Sequence, residues 1–241
     1  MTDGGQKLTL LGHFQELRRR LIRVVIAVII TTVLSFIFYR WIFYILILPA
    51  GDINLIFTEM TEMLGTTMRV CLASGLILAM PYITLQGIMF IRPALTDREK
   101  RNLYVVMPWV AIMFIGGVVF GYFVLIPPAT RFLLSFGSDI ATAQIKIGSY
   151  ISLITRLLLA IGLAFEMPVV TTFLARIGVV KPSWLAGKRR MAFIFAFVLA
   201  AIITPTFDPI NQSLVAVPLI ILYELSIWLA KLVYRKKEAA A

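Results

Sequence analysis

The chain has 241 residues, of which 60% are hydrophobic and only 15% are charged, whereas a soluble domain carries about a quarter charged residues. A membrane-spanning helix needs roughly 20 mostly apolar residues, so the chain has room for six spans with short loops and none for a separate soluble domain. The net charge of +11 does not indicate nucleic-acid binding, because the basic residues lie in short clusters between apolar runs, as in the loops of membrane proteins.

Six apolar runs predict an all-α protein with a single polytopic membrane domain over residues 1–241. The first run follows Arg18-Arg19-Arg20 and has no small-residue cleavage site, so we interpret it as a retained span and not as a secretory signal. The fifth run is short, since about 14 residues make about 21 Å of helix against a hydrocarbon core of about 30 Å. The predicted spans are residues 22–44, 68–91, 103–126, 149–175, 191–204 and 213–231.

The basic residues divide unequally between the two sides of these spans. Eighteen of the 23 lysines and arginines fall before or at the start of the first span, in the 92–101 and 176–190 loops, or at and beyond the end of the last span. Because cytoplasmic loops carry an excess of Lys and Arg, we expect both termini, residues 1–21 and 232–241, to lie in the cytoplasm. The five basic residues of the other side are Arg40, Arg69, Arg131, Lys146 and Arg156.

The two outer loops, residues 45–67 and 127–148, are long enough to contain surface helices. Thr58 or Thr61 is suited to cap a helix that runs into Arg69, since a threonine hydroxyl can accept from the free N–H groups of a helix start.

Five local sequences together resemble the TatC family, the multi-spanning subunit of the twin-arginine protein translocase. They occur in the family's order and at family-like intervals, and they extend over nearly the whole chain. These sequences are His13-Phe14-Gln15-Glu16-Leu17-Arg18-Arg19-Arg20-Leu21, Phe90-Ile91-Arg92-Pro93-Ala94-Leu95 with Glu99-Lys100-Arg101, Gly162-Leu163-Ala164-Phe165-Glu166-Met167-Pro168, Thr204-Pro205-Thr206-Phe207-Asp208-Pro209, and Pro218 with Glu224.

The resemblance implies six transmembrane helices in a cupped, glove-like arrangement, the last two of them short. It implies a core subunit of the inner (cytoplasmic) membrane that binds twin-arginine signal peptides at its cytoplasmic face. Such a subunit organises the single-span partners TatA and TatB, associates with itself in the receptor complex, and contacts membrane lipids. The complex exports folded proteins with the proton-motive force.

Two carboxylates match the family positions that recognise the twin arginines, Glu16 before the first span and Glu99 in the first cytoplasmic loop. A carboxylate binds guanidinium through two charge-assisted hydrogen bonds, which a lysine cannot reproduce. The alternative is ordinary pairing, of Glu16 with Arg20 one helical turn away or of Glu99 with a neighbouring base.

Three further residues belong to the same two motifs. Arg18 matches the family's arginine and is expected to orient Glu16 or bind lipid phosphate. Arg19 and Arg20 are interpreted as determinants of topology. Phe90 matches an aromatic position that packs against the apolar part of the signal peptide, and an ordinary interfacial aromatic is the alternative.

Glu166 is a carboxylate well inside the fourth span, where ionisable residues are rare and usually face a partner or a wet cavity. The resemblance places it on the concave face, in contact with TatA or TatB and with Gln212 nearby. A proton relay and a structural hydrogen bond are the alternatives. The resemblance also assigns the edge around Thr204, on the short fifth span, to TatB.

Three other matches lie near the ends of spans. Pro49 corresponds to a family proline of the outer loop and is expected to form a turn. Asp208 lies in the tight outer loop between the last two spans, where Asp before Pro commonly forms a turn, with a functional role as the alternative. Glu224 is predicted to make a polar contact only.

Two other functions compete with protein translocation. A rhomboid-type protease needs a serine and a histidine within the membrane, but the single histidine is His13 at the N-terminus, so we predict no catalytic activity. One cysteine, Cys71, is too few for a cysteine metal site, and we predict no cofactor or metal. A proton-coupled small-solute transporter is the stronger alternative because of Glu166, Asp208 and Glu224, although the chain lacks detectable repeats.

Overall fold

The computed structural model describes residues 10–51, 55–90, 97–135, 144–204 and 208–238. These ranges are almost entirely helical, with a 3₁₀ turn at Leu48–Ala50 and a π turn at Gly121–Leu125. The helices are α1 (Leu10–Ile37), α2 (Tyr39–Ile47), α3 (Glu62–Phe90), α4 (Asp97–Phe120), α5 (Ile126–Ser135), α6 (Ile147–Ile177), α7 (Pro182–Gly187), α8 (Arg189–Ile203) and α9 (Pro209–Glu238), and the strands are β1 (Leu55–Ile56) and β2 (Ile145–Lys146).

The first predicted span is built from two helices. α1 ends at Ile37, and Phe38 leaves helical geometry with φ −101° and ψ 16° before α2 begins. Pro49 then lies in the 3₁₀ turn that closes α2, as expected of a turn-forming proline. Gly51, with φ +69°, takes a left-handed conformation that a side chain would disfavour, and so releases the chain into the outer segment.

The third predicted span extends further than the sequence indicates. α4 continues through the π turn directly into α5, so residues 127–135, assigned to an outer loop that could contain a surface helix, extend the span as a helix. Pro127 and Pro128 have no backbone N–H to donate to the preceding turn. The π turn, with its wider spacing, accommodates this loss without ending the helix.

Five helices in the described ranges are long and apolar enough to cross a membrane. They correspond to the predicted spans other than the fifth. α8, the predicted fifth span, has 15 residues and therefore reaches only about 22 Å. The six-span topology stays a prediction, since it requires this short helix to cross as well.

The expectation that the last two helices are both short is correct for α8 and wrong for α9, which has 30 residues. α9 begins four residues before the predicted start because Asp208 and Pro209 initiate it. It continues into the basic tail because lysine and arginine favour helix and suit its C-terminal end.

α6 lies at the centre of the helical packing. Its side chains that are at most 1% exposed include Ile151, Ile154, Leu157, Ile161, Phe173 and Ala175. α1 lies at the periphery and exposes Ile26, Ile29, Ile30 and Val33 by 50% or more. Soluble proteins rarely expose such a continuous apolar face, so we assign it to lipid.

Small residues allow two pairs of helices to approach closely. A Cβ atom on Gly75 of α3 would lie 2.6 Å from Thr32 Cα of α1, and one on Gly117 of α4 would lie 2.7 Å from Phe165 Cβ of α6. Thr31 Oγ1 also donates to the Gly75 carbonyl at 2.7 Å. Close contacts of this kind hold helices together in a membrane, because apolar side chains alone do not favour contact with another helix over contact with lipid.

Successive long helices run antiparallel, so that the start of α1, the end of α3, the end of α6, α7 and the end of α9 lie at one end of the molecule. We call this the basic end, because most of the lysines and arginines lie towards it. Its contacts join Arg20 to Gln86, Ile88 to Val110 and Phe173, and Ala175 to Leu185, Ile227 and Ala230.

The opposite end is held by a short parallel pair of strands, with Leu55 opposite Ile145 and Ile56 opposite Lys146. The pair joins the two outer segments, which the sequence analysis treated as separate. Glu62, the first residue of α3, accepts from Thr58 N–H at 2.8 Å and from Gly148 N–H, at the start of α6, at 3.4 Å. Thr58 was predicted to accept a hydrogen bond from the start of α3. Instead Thr58 is the donor, since its hydroxyl also donates to the Glu62 carboxylate, at 3.4 Å.

Candidate functional site

Glu16 lies one turn before Arg20 on α1 at the basic end, and the two side chains form an ion pair. Arg20 donates to Glu16 Oε1 through both Nε, at 3.1 Å, and Nη2. Its remaining nitrogen, Nη1, donates at 3.2 Å to Oε1 of Gln86 on α3. One guanidinium is therefore held between a carboxylate of α1 and an amide of α3.

Burial strengthens this arrangement. The Glu16 and Arg20 side chains are 22% and 13% exposed, and Gln86 is buried. Hydrogen bonds to charged groups are stronger away from bulk water. Among the residues that the structure describes, Glu16 Oε2 has no hydrogen-bond partner, so half of the carboxylate can still accept from another donor.

The arginine that contacts Glu16 is Arg20, the pairing predicted as the alternative, and not Arg18, which the motif singled out. Arg18 is exposed, and it is Arg20 that contacts Glu16. The interpretation of Arg20 as only a topology determinant is therefore wrong, because its guanidinium joins two helices. Arg19 is exposed, as expected of a topology determinant.

Phe90 and Glu99 lie near this pair along the chain. Phe90 is the last residue of α3, one turn beyond Gln86, and is half-buried. Glu99 lies in the first turn of α4, and its side chain is outside the described part of the structure. The stretch between them, residues 91–96, is outside it as well.

Glu166 is enclosed within the helix bundle. It is 2% exposed, and its Oε2 accepts a hydrogen bond from the Thr84 hydroxyl of α3. Its Oε1 has no hydrogen-bond partner in the described ranges. Of the three roles considered for Glu166, the structural hydrogen bond is therefore present in the structure. Its partner is Thr84, and not Gln212 as expected.

Gln212, Thr204 and Asp208 organise the junction of α8 and α9. Gln212 Nε2 donates to the Phe197 carbonyl of α8 at 2.8 Å, and Thr204 is buried, with its hydroxyl on the Ala200 carbonyl at 2.8 Å. Asp208 accepts from the Asn211 backbone N–H at 2.7 Å and side-chain amide at 3.0 Å. It is the N-cap of α9, which gives the predicted turn residue a defined structural role.

Glu224 has a specific partner that the sequence analysis did not identify. Arg189, at the start of α8, donates through Nε at 2.6 Å to Glu224 Oε1 and through Nη2 at 3.0 Å to Oε2. The side chains are 51% and 47% exposed, respectively. This bidentate pair joins the start of α8 to the middle of α9.

The contacts that sequence reasoning missed all join residues far apart in the chain. Gln86 is an uncharged residue 66 positions from Arg20, and Thr84 is 82 positions from Glu166. One signal was available, since polar residues inside an apolar span usually have a partner on a neighbouring helix.

The fold and the site define a multi-pass helical membrane protein with carboxylate–guanidinium chemistry at one end and a buried carboxylate within its helices. Comparison with known proteins narrows this class. The family model described as Sec-independent protein translocase protein (TatC) matches residues 12–218. The chain belongs to the TatC family.

Two relatives named Sec-independent protein translocase protein TatC illustrate the similarity. The protein of Carboxydothermus hydrogenoformans is 38% identical over 95% of this chain and 96% of its own length. That of Aquifex aeolicus is 40% identical over 96% of this chain and 98% of its own.

A crystal structure of the twin arginine translocase receptor TatC superposes with a TM-score of 0.83 and 40% identity, over 92% of this chain and 99% of that one. A second, obtained in the detergent DDM, gives 0.84 and 39%, over 90% and 99%. The chain is therefore a component of the Sec-independent, twin-arginine protein translocase, as the resemblance implied. This is a transport role and not that of a catalytic enzyme family, and it replaces the small-solute transporter alternative.

Proposed function

We propose that this chain is the signal-peptide receptor of its translocase, and that Glu16 and Glu99 bind the two arginines of the signal peptide. The basic end is then the cytoplasmic face of the inner membrane, and both termini lie in the cytoplasm. The positive-inside asymmetry supports this orientation. The solved relatives are themselves described as twin arginine translocase receptors.

The observation that carries the proposal is the guanidinium held by Glu16. Arg20 has the same side chain as the arginines to be recognised, and it fits between Glu16 and Gln86 with three nitrogens engaged. Lysine has a single nitrogen and cannot bridge two acceptors in this planar manner. The site therefore has the geometry to prefer arginine.

Glu16 retains an oxygen for an incoming arginine. Because Oε2 has no partner in the described ranges, a peptide guanidinium can bind there before it competes with Arg20 for Oε1. The Glu99 assignment rests on its motif position and on its place in the first turn of α4, after Phe90. In this proposal Phe90 contacts the apolar part of the peptide. Arg18, which is exposed, binds lipid phosphate.

For the partners TatA and TatB we assign the outer face of α8. A shallow apolar groove of about 580 Å³ runs along this helix and contains Gln212 as its polar group. Ile194 and Ile202 are 59% and 68% exposed there. A single-span helix with one polar residue suits such a groove. Glu166 is buried and supports the packing of α6 against α3 through its hydrogen bond with Thr84.

Photocrosslinking of a synthetic twin-arginine signal peptide in membranes tests the receptor role, with a twin-lysine peptide as the comparison. We expect crosslinks near Glu16 and Glu99 for the arginine peptide only, and their loss in the double variant Glu16→Gln/Glu99→Gln. The control is Glu59→Gln, which removes an exposed carboxylate at the opposite end. Equal labelling by both peptides, or unchanged labelling of the double variant, would refute the proposal.

A further inference from the structure

A cavity with both polar and apolar lining lies at the basic end, and Glu16 is not part of its lining. It has a volume of about 630 Å³ and separates the start of α7 from the last turns of α9. Lys181 and Ser183 line it from the α7 side. The α9 side contributes Trp228, Lys231, Leu232 and Tyr234. The motif residues of the signal-peptide site are not part of its lining.

Two positively charged side chains, Lys181 and Lys231, line the cavity. In the described part of the chain, the ion pairs are those of Glu16 with Arg20 and Glu224 with Arg189, and neither Lys181 nor Lys231 has a carboxylate partner. Two ammonium groups that face one cavity repel each other. An anion placed between them would relieve this repulsion and gain both attractions.

The remaining lining groups suit a phosphate at the membrane surface. The Ser183 and Tyr234 hydroxyls and the Trp228 indole N–H are hydrogen-bond donors. The apolar span of α9 extends to Tyr234, so Trp228 and Lys231 lie in its last two turns. Trp, Tyr and Lys at the end of a span mark the level of the lipid headgroups.

We propose that this cavity binds the headgroup of an anionic glycerophospholipid, with the phosphate between Lys181 and Lys231. Leu232 and Trp228, which are 49% and 59% exposed, then contact the glycerol and upper acyl chain. A soluble anion would make no favourable contact with the apolar side chains Trp228 and Leu232. A lipid binds the lysines through its phosphate and these apolar side chains through its acyl chain. Basic pockets between spans at the cytoplasmic side are known to suit such headgroups.

The site gives the receptor a lipid-dependent element next to α7, the short helix that joins α6 to α8. Tyr223 of α9 donates to the Leu185 carbonyl of α7 at 2.7 Å, and α8 begins two residues after α7 ends. A lipid that bridges α7 and α9 would therefore strengthen the attachment of α8. This inference does not depend on Glu16 or Glu99, but it rests on the cytoplasmic orientation of the basic end given under the proposed function.

Native mass spectrometry of the purified full chain, with phosphatidylglycerol or cardiolipin against phosphatidylcholine, tests the site. We expect anionic lipid to be retained preferentially, and the variant Lys181→Gln/Lys231→Gln to lose about 10- to 30-fold in apparent affinity, the effect of two basic groups near an anionic headgroup. The charge-conserving variant Lys181→Arg/Lys231→Arg should keep binding, which separates the loss of charge from misfolding.

The matched control is Lys188→Gln/Arg190→Gln, which removes two exposed charges from the same end but none from this cavity. It should change affinity less than threefold. An equal loss in both double variants, or no preference for anionic lipid, would overturn the proposal. Displacement of the lipid by millimolar inorganic phosphate would also overturn it, because it would assign the cavity to a soluble anion.

Discussion

At the scale of single residues, Arg20 is the group whose role changes most between sequence and structure. It occupies the carboxylate that is proposed to read the signal peptide, and it also binds Gln86 of α3. Such an internal guanidinium can act as a competitor that the peptide replaces, or as a support that orients Glu16. The two roles predict opposite effects of its removal.

We expect Arg20→Gln to bind a twin-arginine peptide about fivefold more tightly, since loss of a partly buried ion pair removes about 1 kcal/mol of competition. A fluorescence titration of labelled peptide against the purified protein measures this. Arg19→Gln is the control, because it removes the same charge from an exposed neighbour. Weaker binding by Arg20→Gln alone would mean that Arg20 orients Glu16 and does not compete.

Glu166 gives a second prediction at this scale. It lies 11 residues before the end of α6, or about 16 Å from the basic end, and it is bonded to Thr84. We expect Glu166→Ala and Thr84→Val to leave peptide affinity within twofold but to weaken assembly with TatA and TatB, because both loosen the packing of α3 on α6, and α6 in turn packs against α8 and α9. Disulfide mapping between α8 and the partner spans measures the assembly.

The control for Glu166 is Leu163→Ala, on the same helix but 46% exposed. It should leave both properties unchanged. Loss of peptide binding in Glu166→Ala, with assembly intact, would contradict the assignment of this carboxylate to the interior of the bundle.

At the scale of elements, the crossing of α4 and α6 leaves no room for a side chain at Gly117. A Cβ atom on Gly117 would lie 2.7 Å from Phe165 Cβ and 3.0 Å from Gly162 Cα. A backbone-to-backbone approach of this kind cannot be relieved by rotating a side chain. The neighbouring Gly116 has nothing within 4 Å of the corresponding position.

We therefore expect Gly117→Ala to destabilise the protein by about 1–3 kcal/mol, the usual cost of overpacking. Gly116→Ala should be neutral or should stabilise by up to about 1 kcal/mol, because alanine favours helix over glycine. Thermal unfolding in detergent distinguishes the two adjacent variants. Equal stability would show that α4 and α6 separate at no cost.

At the scale of the whole molecule, the sequence was sufficient for the all-α membrane class, because long apolar runs determine it directly. It also singled out Glu166, since a carboxylate in such a run is conspicuous, but it did not predict the residue's partner on α3. It allowed for a surface helix in the outer loop but did not predict that α5 continues the third span, because prolines usually end helices and here follow a π turn. Nor did it predict the Gln86 and Thr84 contacts or the β1–β2 pair, because these depend on how separate helices and loops come together.

The orientation of the molecule in the membrane gives the last prediction. If the basic end is cytoplasmic, the β1–β2 end faces the opposite side, and two exposed positions report on this. Met60 is fully exposed near the strands, and Gly187 at the basic end has open space for a side chain. The native Cys71 is buried and contributes little background labelling.

We expect a membrane-impermeant maleimide to label Met60→Cys in cells whose cytoplasmic membrane is intact, and Gly187→Cys only after that membrane is opened. The reverse pattern would place Glu16 on the side away from newly made signal peptides, and it would therefore refute the receptor proposal together with the orientation.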